Sequence, residues 1–129
     1  MVAGPRELGV RAFKISLAIE SFFASAKEPL RVIHGDARGV DTIAARAAAR
    51  YGHTVISFPV NDDDRQLAIH KRGNPRKAPL ERTIRMFNTA RPDLVQAWWD
   101  GESSGTGFTI SEARRRDIPV IVISIKEIA

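Results

Sequence analysis

The chain contains no cysteine, which excludes disulfides, thiolate catalysis and cysteine-ligated zinc and fits a reducing compartment. It has no long apolar run either. The apolar residues near the start are interrupted by Arg6, Glu7, Arg11, Lys14 and Glu20, so neither a secretory leader nor a membrane-spanning helix can be built from them. The expectation is a soluble, cytoplasmic protein with no membrane partner. Histidine is scarce, and His34, His53 and His70 show no ligand spacing; no metal site and no cofactor are expected. Repeats and low-complexity linkers are missing as well. A chain of 129 residues without them reads as a single domain over 1–129.

Positive charge is present in excess, and it is local. Between Arg65 and Arg85 stand seven basic residues against one acid, Glu81, whereas the whole chain carries a net +5. The rest of the molecule is therefore close to neutral, and any attraction for an anionic partner belongs to one segment.

Periodicity organises the remainder. Met1 to Ala3 reads as a short first strand ended by Gly4-Pro5-Arg6. A helix follows from Glu7 to Ala26, with Ile15, Ala18, Ile19, Phe22 and Phe23 on one face. Leu30 to His34 is a strand, Asp41 to Tyr51 an amphipathic helix with Gly52 at its end, and His53 to Phe58 a third strand. A long polar connection carrying Asp62-Asp63-Asp64 leads to a helix over Leu80 to Ala90. Strand Leu94 to Trp99, a loop over Gly101 to Gly107, a helix over Phe108 to Arg116 and strand Pro119 to Ile125 complete the chain. Strands alternating with helices predict an α/β, Rossmann-like three-layer sandwich on a mostly parallel five-stranded sheet. Trp98 and Trp99 should point to opposite faces, with the outward ring a candidate for stacking on a base.

In such sheets ligands bind beyond the carboxyl ends of the strands. Three turns there are rich in glycine: Gly4-Pro5-Arg6, the run Gly35 to Asp41, and the run Asp100 to Gly107. Glycine lets backbone approach an oxyanion, and a helix N-terminus offers free N–H groups and partial positive charge. Ser104 and Thr106 add hydroxyls.

The run Val32-Ile33-His34-Gly35-Asp36-Ala37-Arg38-Gly39-Val40-Asp41-Thr42-Ile43-Ala44 resembles the G-x-A-R-G-hydrophobic-D-x-x-A signature of the SLOG superfamily, which joins DNA-processing-protein-A and LOG proteins. Trp99-Asp100-Gly101 to Ser104-Gly105-Thr106 is similar to its second glycine motif. Gly4-Pro5-Arg6, and Ala78-Pro79 with Arg82 and Met86, resemble segments of its small stand-alone YspA- and YpsA-related branch, with Thr83 in place of an asparagine. The resemblance spans nearly the whole chain. It implies a Rossmann-like fold that binds a nucleotide or nucleotide-derived small molecule, as sensor or binding protein. The implied phosphate-binding residues are Gly4, Arg6, Gly35, Arg38, Gly39, Asp41, Arg82, Gly101, Ser104, Gly105 and Thr106.

LOG enzymes hydrolyse the N-glycosidic bond of nucleoside 5′-monophosphates with a glutamate that falls at Thr109 here. Threonine cannot supply a carboxylate. An enzymatic reading therefore rests on Glu112 or Asp41 as catalytic candidates. A third reading places single-stranded DNA on the Arg65–Arg85 segment, although that segment has no Phe, Tyr or Trp to stack on bases. Phe22-Phe23 is a candidate surface for homo-oligomerisation.

Overall fold

The computed structural model describes residues 1–127; residues 128 and 129 of the expected domain lie outside them. Among the described residues, five strands and five α-helices follow in the order β1 (Val2–Ala3), α1 (Ala12–Ser25), β2 (Arg31–His34), α2 (Val40–Arg50), β3 (Thr54–Ser57), α3 (Asp62–Arg72), α4 (Ala78–Ala90), β4 (Val95–Trp99), α5 (Ser104–Arg115) and β5 (Val120–Ser124), with two consecutive helices between β3 and β4. Every strand pair is parallel. The α/β, Rossmann-like reading holds. No helix among the described residues is long and apolar enough to cross a membrane.

The sheet is not one continuous ladder. β1, β4 and β5 form one hydrogen-bonded group, and β2 and β3 another. β1 lies beside β2 without a ladder between them, so the spatial order is β3-β2-β1-β4-β5. β1 has only two residues, and Pro5, which has no N–H, follows just behind it.

Side chains on the two faces of the strands build separate cores. Ile15, Ile19 and Phe23 recur at helical spacing on α1 and pack with Ala44, Ala47 and Ala48 of α2 over Val2, Val32 and Trp98. On the other face, Met86 and Ala90 of α4 cover Ile33, while Phe87 and Ala113 cover Val95. Each large side chain fully buried this way contributes roughly 1.5–3 kcal/mol. Two helices lie on each face of the sheet, which makes the three layers.

α3 corrects the expectation of a polar connection. Asn61 and Asp64 form a reciprocal capping box, with Asp64 N donating to Asn61 Oδ1 at 2.8 Å and Asn61 N to Asp64 Oδ2 at 3.0 Å. The three aspartates fill the first turn, His70-Lys71-Arg72 fill the last, and Gly73 closes the helix in the left-handed region; both charge placements suit the helix dipole. The helix buries little hydrocarbon, with Ala68 its one buried apolar residue, so periodicity does not reveal it.

Asp64 also fastens α3 to α4. Its buried carboxylate accepts from Arg85 Nε at 3.1 Å and Nη2 at 2.9 Å. Burial acts to raise its pKa, but the Arg85 and Asn61 hydrogen bonds outweigh that and hold it below the ordinary carboxylate value. A carboxylate depressed on folding contributes stability above its unfolded pKa of about 3.9, and loses it as pH falls through the folded value. Asp64→Asn is expected to cost about 2 kcal/mol at pH 7. Denaturation series should show wild-type stability falling more steeply than the variant's below about pH 5; parallel profiles would rule out the coupling.

Candidate functional site

A cavity of about 420 Å³ opens at the carboxyl ends of β1, β2 and β4. Of the expected phosphate-binding residues, Gly4, Arg6, Gly35, Asp41, Arg82, Ser104, Gly105 and Thr106 line it. Arg38, Gly39 and Gly101 do not. Arg38 reaches outward to Glu7 at 2.9 Å, both side chains well exposed. Gly39 (φ +82°) lies beneath the first turn, where a Cβ would run into the carbonyl oxygens of Pro5 and Arg6. Gly101 (φ +84°) shapes its turn and has no neighbour near a Cβ.

The first two turns are packed on each other. Val40 N donates to Pro5 O at 3.3 Å, and a Cβ on Gly4 would sit 2.5 Å from the Val40 side chain. Within the second turn the first three N–H groups are already engaged. Gly35 N and Ala37 N donate to Asp41 Oδ2 at 3.0 and 3.2 Å, and Asp36 N, at φ +56°, donates to His34 Nδ1 at 2.9 Å. Asp41 is buried, and this raises its carboxyl pKa against the opposing pull of the two N–H groups, His34 and Arg82. It is an internal anion occupying the turn.

The third turn is arranged oppositely. α5 begins at Ser104 instead of the expected Phe108, so Ser104, Gly105 and Thr106 form its first turn. N–H groups there have no acceptor within the helix. Ser103 stands at the N-cap position without capping, because its Oγ donates to Asp100 Oδ2 at 2.7 Å. Asp100 Oδ1 also accepts from Ser103 N at 2.7 Å and Glu102 N at 2.8 Å, and these bonds push its pKa down to about 2. The side chain that normally closes a helix end is thus turned away, and the three residues of the uncapped first turn line the cavity. Nothing lies within 4 Å of a Cβ built on Gly105.

Two guanidinium groups meet the same space. Arg82 comes from α4 and is 8% exposed. Its Nη1 donates to the Gly35 and Phe58 carbonyls, while its buried Nε has no partner. Gly35 makes room for it: a Cβ there would fall 2.5 Å from Arg82 Cζ. Burial lowers the Arg82 pKa; Asp41 opposes that and nearby Arg6 reinforces it. Neither arginine has a carboxylate within 4.0 Å among the described residues. Two cations beside an uncapped helix end form an anion-binding geometry, with the carboxylates of Asp41 and Asp100 also in the lining.

No family model, curated protein or solved structure matches this chain.

The remaining expected residues lie elsewhere. Glu112 is on the outer side of α5, held by Arg115 and Arg116, with Arg115 Nη2 at 2.8 Å. Thr109 does line the cavity, and its hydroxyl donates to Gly105 O at 3.1 Å. Trp99 does not line it; its Nε1 donates to Ser103 O and its ring packs on Gly107, so it braces the turn. In the basic segment, Arg65 pairs with Asp62, Lys71 and Arg72 with Glu81, and Arg85 with Asp64. Only Arg76 and Lys77 there are exposed cations without a carboxylate within 4.0 Å among the described residues. Leu80 and Thr83 of α4 also line the cavity. They stand about one turn apart, and the i,i+3 spacing of Thr83 from Met86 was the available signal.

Gly39 and Gly52 separate conformational strain from close approach. Both have positive φ, but a Cβ on Gly52 meets nothing within 4 Å. Gly52→Ala should cost about 1 kcal/mol, and Gly39→Ala about 3 kcal/mol because strain and collision combine. Urea denaturation midpoints measure the difference, and equal losses would disprove the tight packing of the first two turns.

Proposed function

We propose that this protein binds a nucleotide or nucleotide-derived small molecule through its phosphate group, as a sensor or binding protein. The observation that carries the reading is the uncapped start of α5, beside Arg6 and Arg82, which line the same cavity. A phosphate would accept from Arg82, Arg6 and the N–H groups of Ser104, Gly105 and Thr106. The Gly35–Asp41 turn acts one step back: Asp41 takes its N–H groups and Gly35 leaves room for Arg82. The resemblance to the SLOG superfamily supports the same ligand class. Pro79, Leu80 and Met86 supply an apolar wall for the rest of the ligand.

Ligand that binds only the native state raises stability by mass action, about 2.7 kcal/mol at a hundredfold excess over Kd. AMP at millimolar concentration should therefore raise the melting temperature. Arg82→Met should weaken binding roughly 10- to 150-fold, the worth of a charge-assisted hydrogen bond, and should also lower the ligand-free melt, because the buried Gly35 and Phe58 carbonyls lose their donor. Gly105→Val should also abolish the shift, by blocking approach to the helix start. A melt that no nucleotide moves, including AMP, ADP-ribose and cyclic dinucleotides, would refute the reading.

A further inference from the structure

A second cavity, of about 300 Å³, opens at the amino ends of β1, β2 and β4, at the other end of the sheet from the anion site. It sits along the seam where β1 and β2 run side by side without a ladder. Much of its wall is hydrocarbon, from Phe22, Phe23, Leu30 and Leu94, with Arg31, Asp93 and Gln96 as its polar members. Phe22 and Leu94 remain 39% and 38% exposed, as part of the open rim.

One polar group in this wall is incompletely used. Gln96 is 6% exposed, and its Oε1 accepts from Trp98 Nε1 at 2.9 Å. An indole N–H only donates, so that bond decides which end of the amide is oxygen. Nε2 then carries two donors with no acceptor among the described residues. Arg82 Nε is the unpartnered side-chain atom that is sealed from solvent; Gln96 Nε2 instead opens onto the cavity that Gln96 lines.

We propose that this cavity binds a small uncharged apolar molecule bearing a carbonyl oxygen, which accepts from Gln96 Nε2 while its hydrocarbon packs on Phe22, Phe23, Leu30 and Leu94. Charge at the mouth is balanced. Arg31 and Asp93 both line it, and Arg31 Nη2 is engaged by Ala90 O at 2.7 Å. The Met1 amino group donates to Leu94 O and is pushed down to about 6 by burial and by Arg31, so it adds little charge above neutral pH. A carboxylate gains nothing there over a neutral carbonyl.

Amide NMR spectra of the protein at pH 7.5, titrated separately with acetophenone, ethylbenzene and benzoate, test this. Acetophenone should shift the Gln96 side-chain NH₂ pair and bind about tenfold more tightly than ethylbenzene, the ratio that one net hydrogen bond supplies. Benzoate should bind no better than ethylbenzene. Gln96→Leu should bind acetophenone and ethylbenzene equally. Should that variant fail to fold, Leu94→Asp, which places a charge on the exposed rim, should abolish binding of both. Equal affinities in the unmodified protein, preference for benzoate, or no shift from any probe up to its solubility limit would overturn the proposal.

Discussion

Asp41 keeps a carboxylate away from solvent at the start of α2, and the arrangement of the cavity depends on it. Burial disfavours its charge, while two backbone N–H groups and the Arg82 guanidinium favour it. Those N–H groups belong to Gly35 and Ala37, so the carboxylate sets the path of the turn after β2. The turn then presents the Gly35 carbonyl to Arg82 and gives its guanidinium the room that a Cβ would remove. Without that internal anion, the backbone donors of the turn would be unsatisfied in a buried position, at a cost of about 1–3 kcal/mol each.

The glycine turns consequently divide the work. Those after β1 and β2 are packed backbone to backbone, and their glycines serve close approach more than ligand contact. The turn after β4 is prepared for an outside partner. Asp100 gathers both the N–H and the hydroxyl of Ser103, and the first turn of α5 is left uncapped. A Ser side chain used as a cap is worth about 1 kcal/mol to a helix; here it is committed to shaping the turn. Two arginines and an uncapped helix start at one end of the sheet, and an apolar wall with Gln96 at the other, distinguish the two cavities chemically.

Local order in the sequence made much of this legible. Alternation of apolar runs with helical stripes predicted the five strands, the parallel sheet and four of the five helices, because burial of one face imposes a period that propensity alone does not. Glycine at strand ends marked the three turns. α3 escaped notice because its stability comes from caps, end charges and the Asp64–Arg85 pair, none of which leaves an apolar period. Asn61 with three following aspartates, and Gly73 after a basic turn, were the signals that pattern reading passed over.

The residue types around the cavity were determined by sequence; their roles were decided by tertiary contact. Gly35, Asp41 and Gly105 were identifiable as polar or glycine positions in turns after strands, and Arg82 through the family resemblance. That Asp41 occupies one turn as its own anion depends on which N–H groups reach it, across four and six residues. That Arg82 sits against Gly35 depends on a contact across 47 residues. That Glu112 faces outward while Thr109 faces in depends on where α5 begins, and Ser103's hydroxyl, drawn off by Asp100, leaves that beginning open. Hydrophobic periodicity is a property of neighbouring residues and survives in a linear string. Which donor finds which acceptor is settled only when distant segments are packed within hydrogen-bond reach.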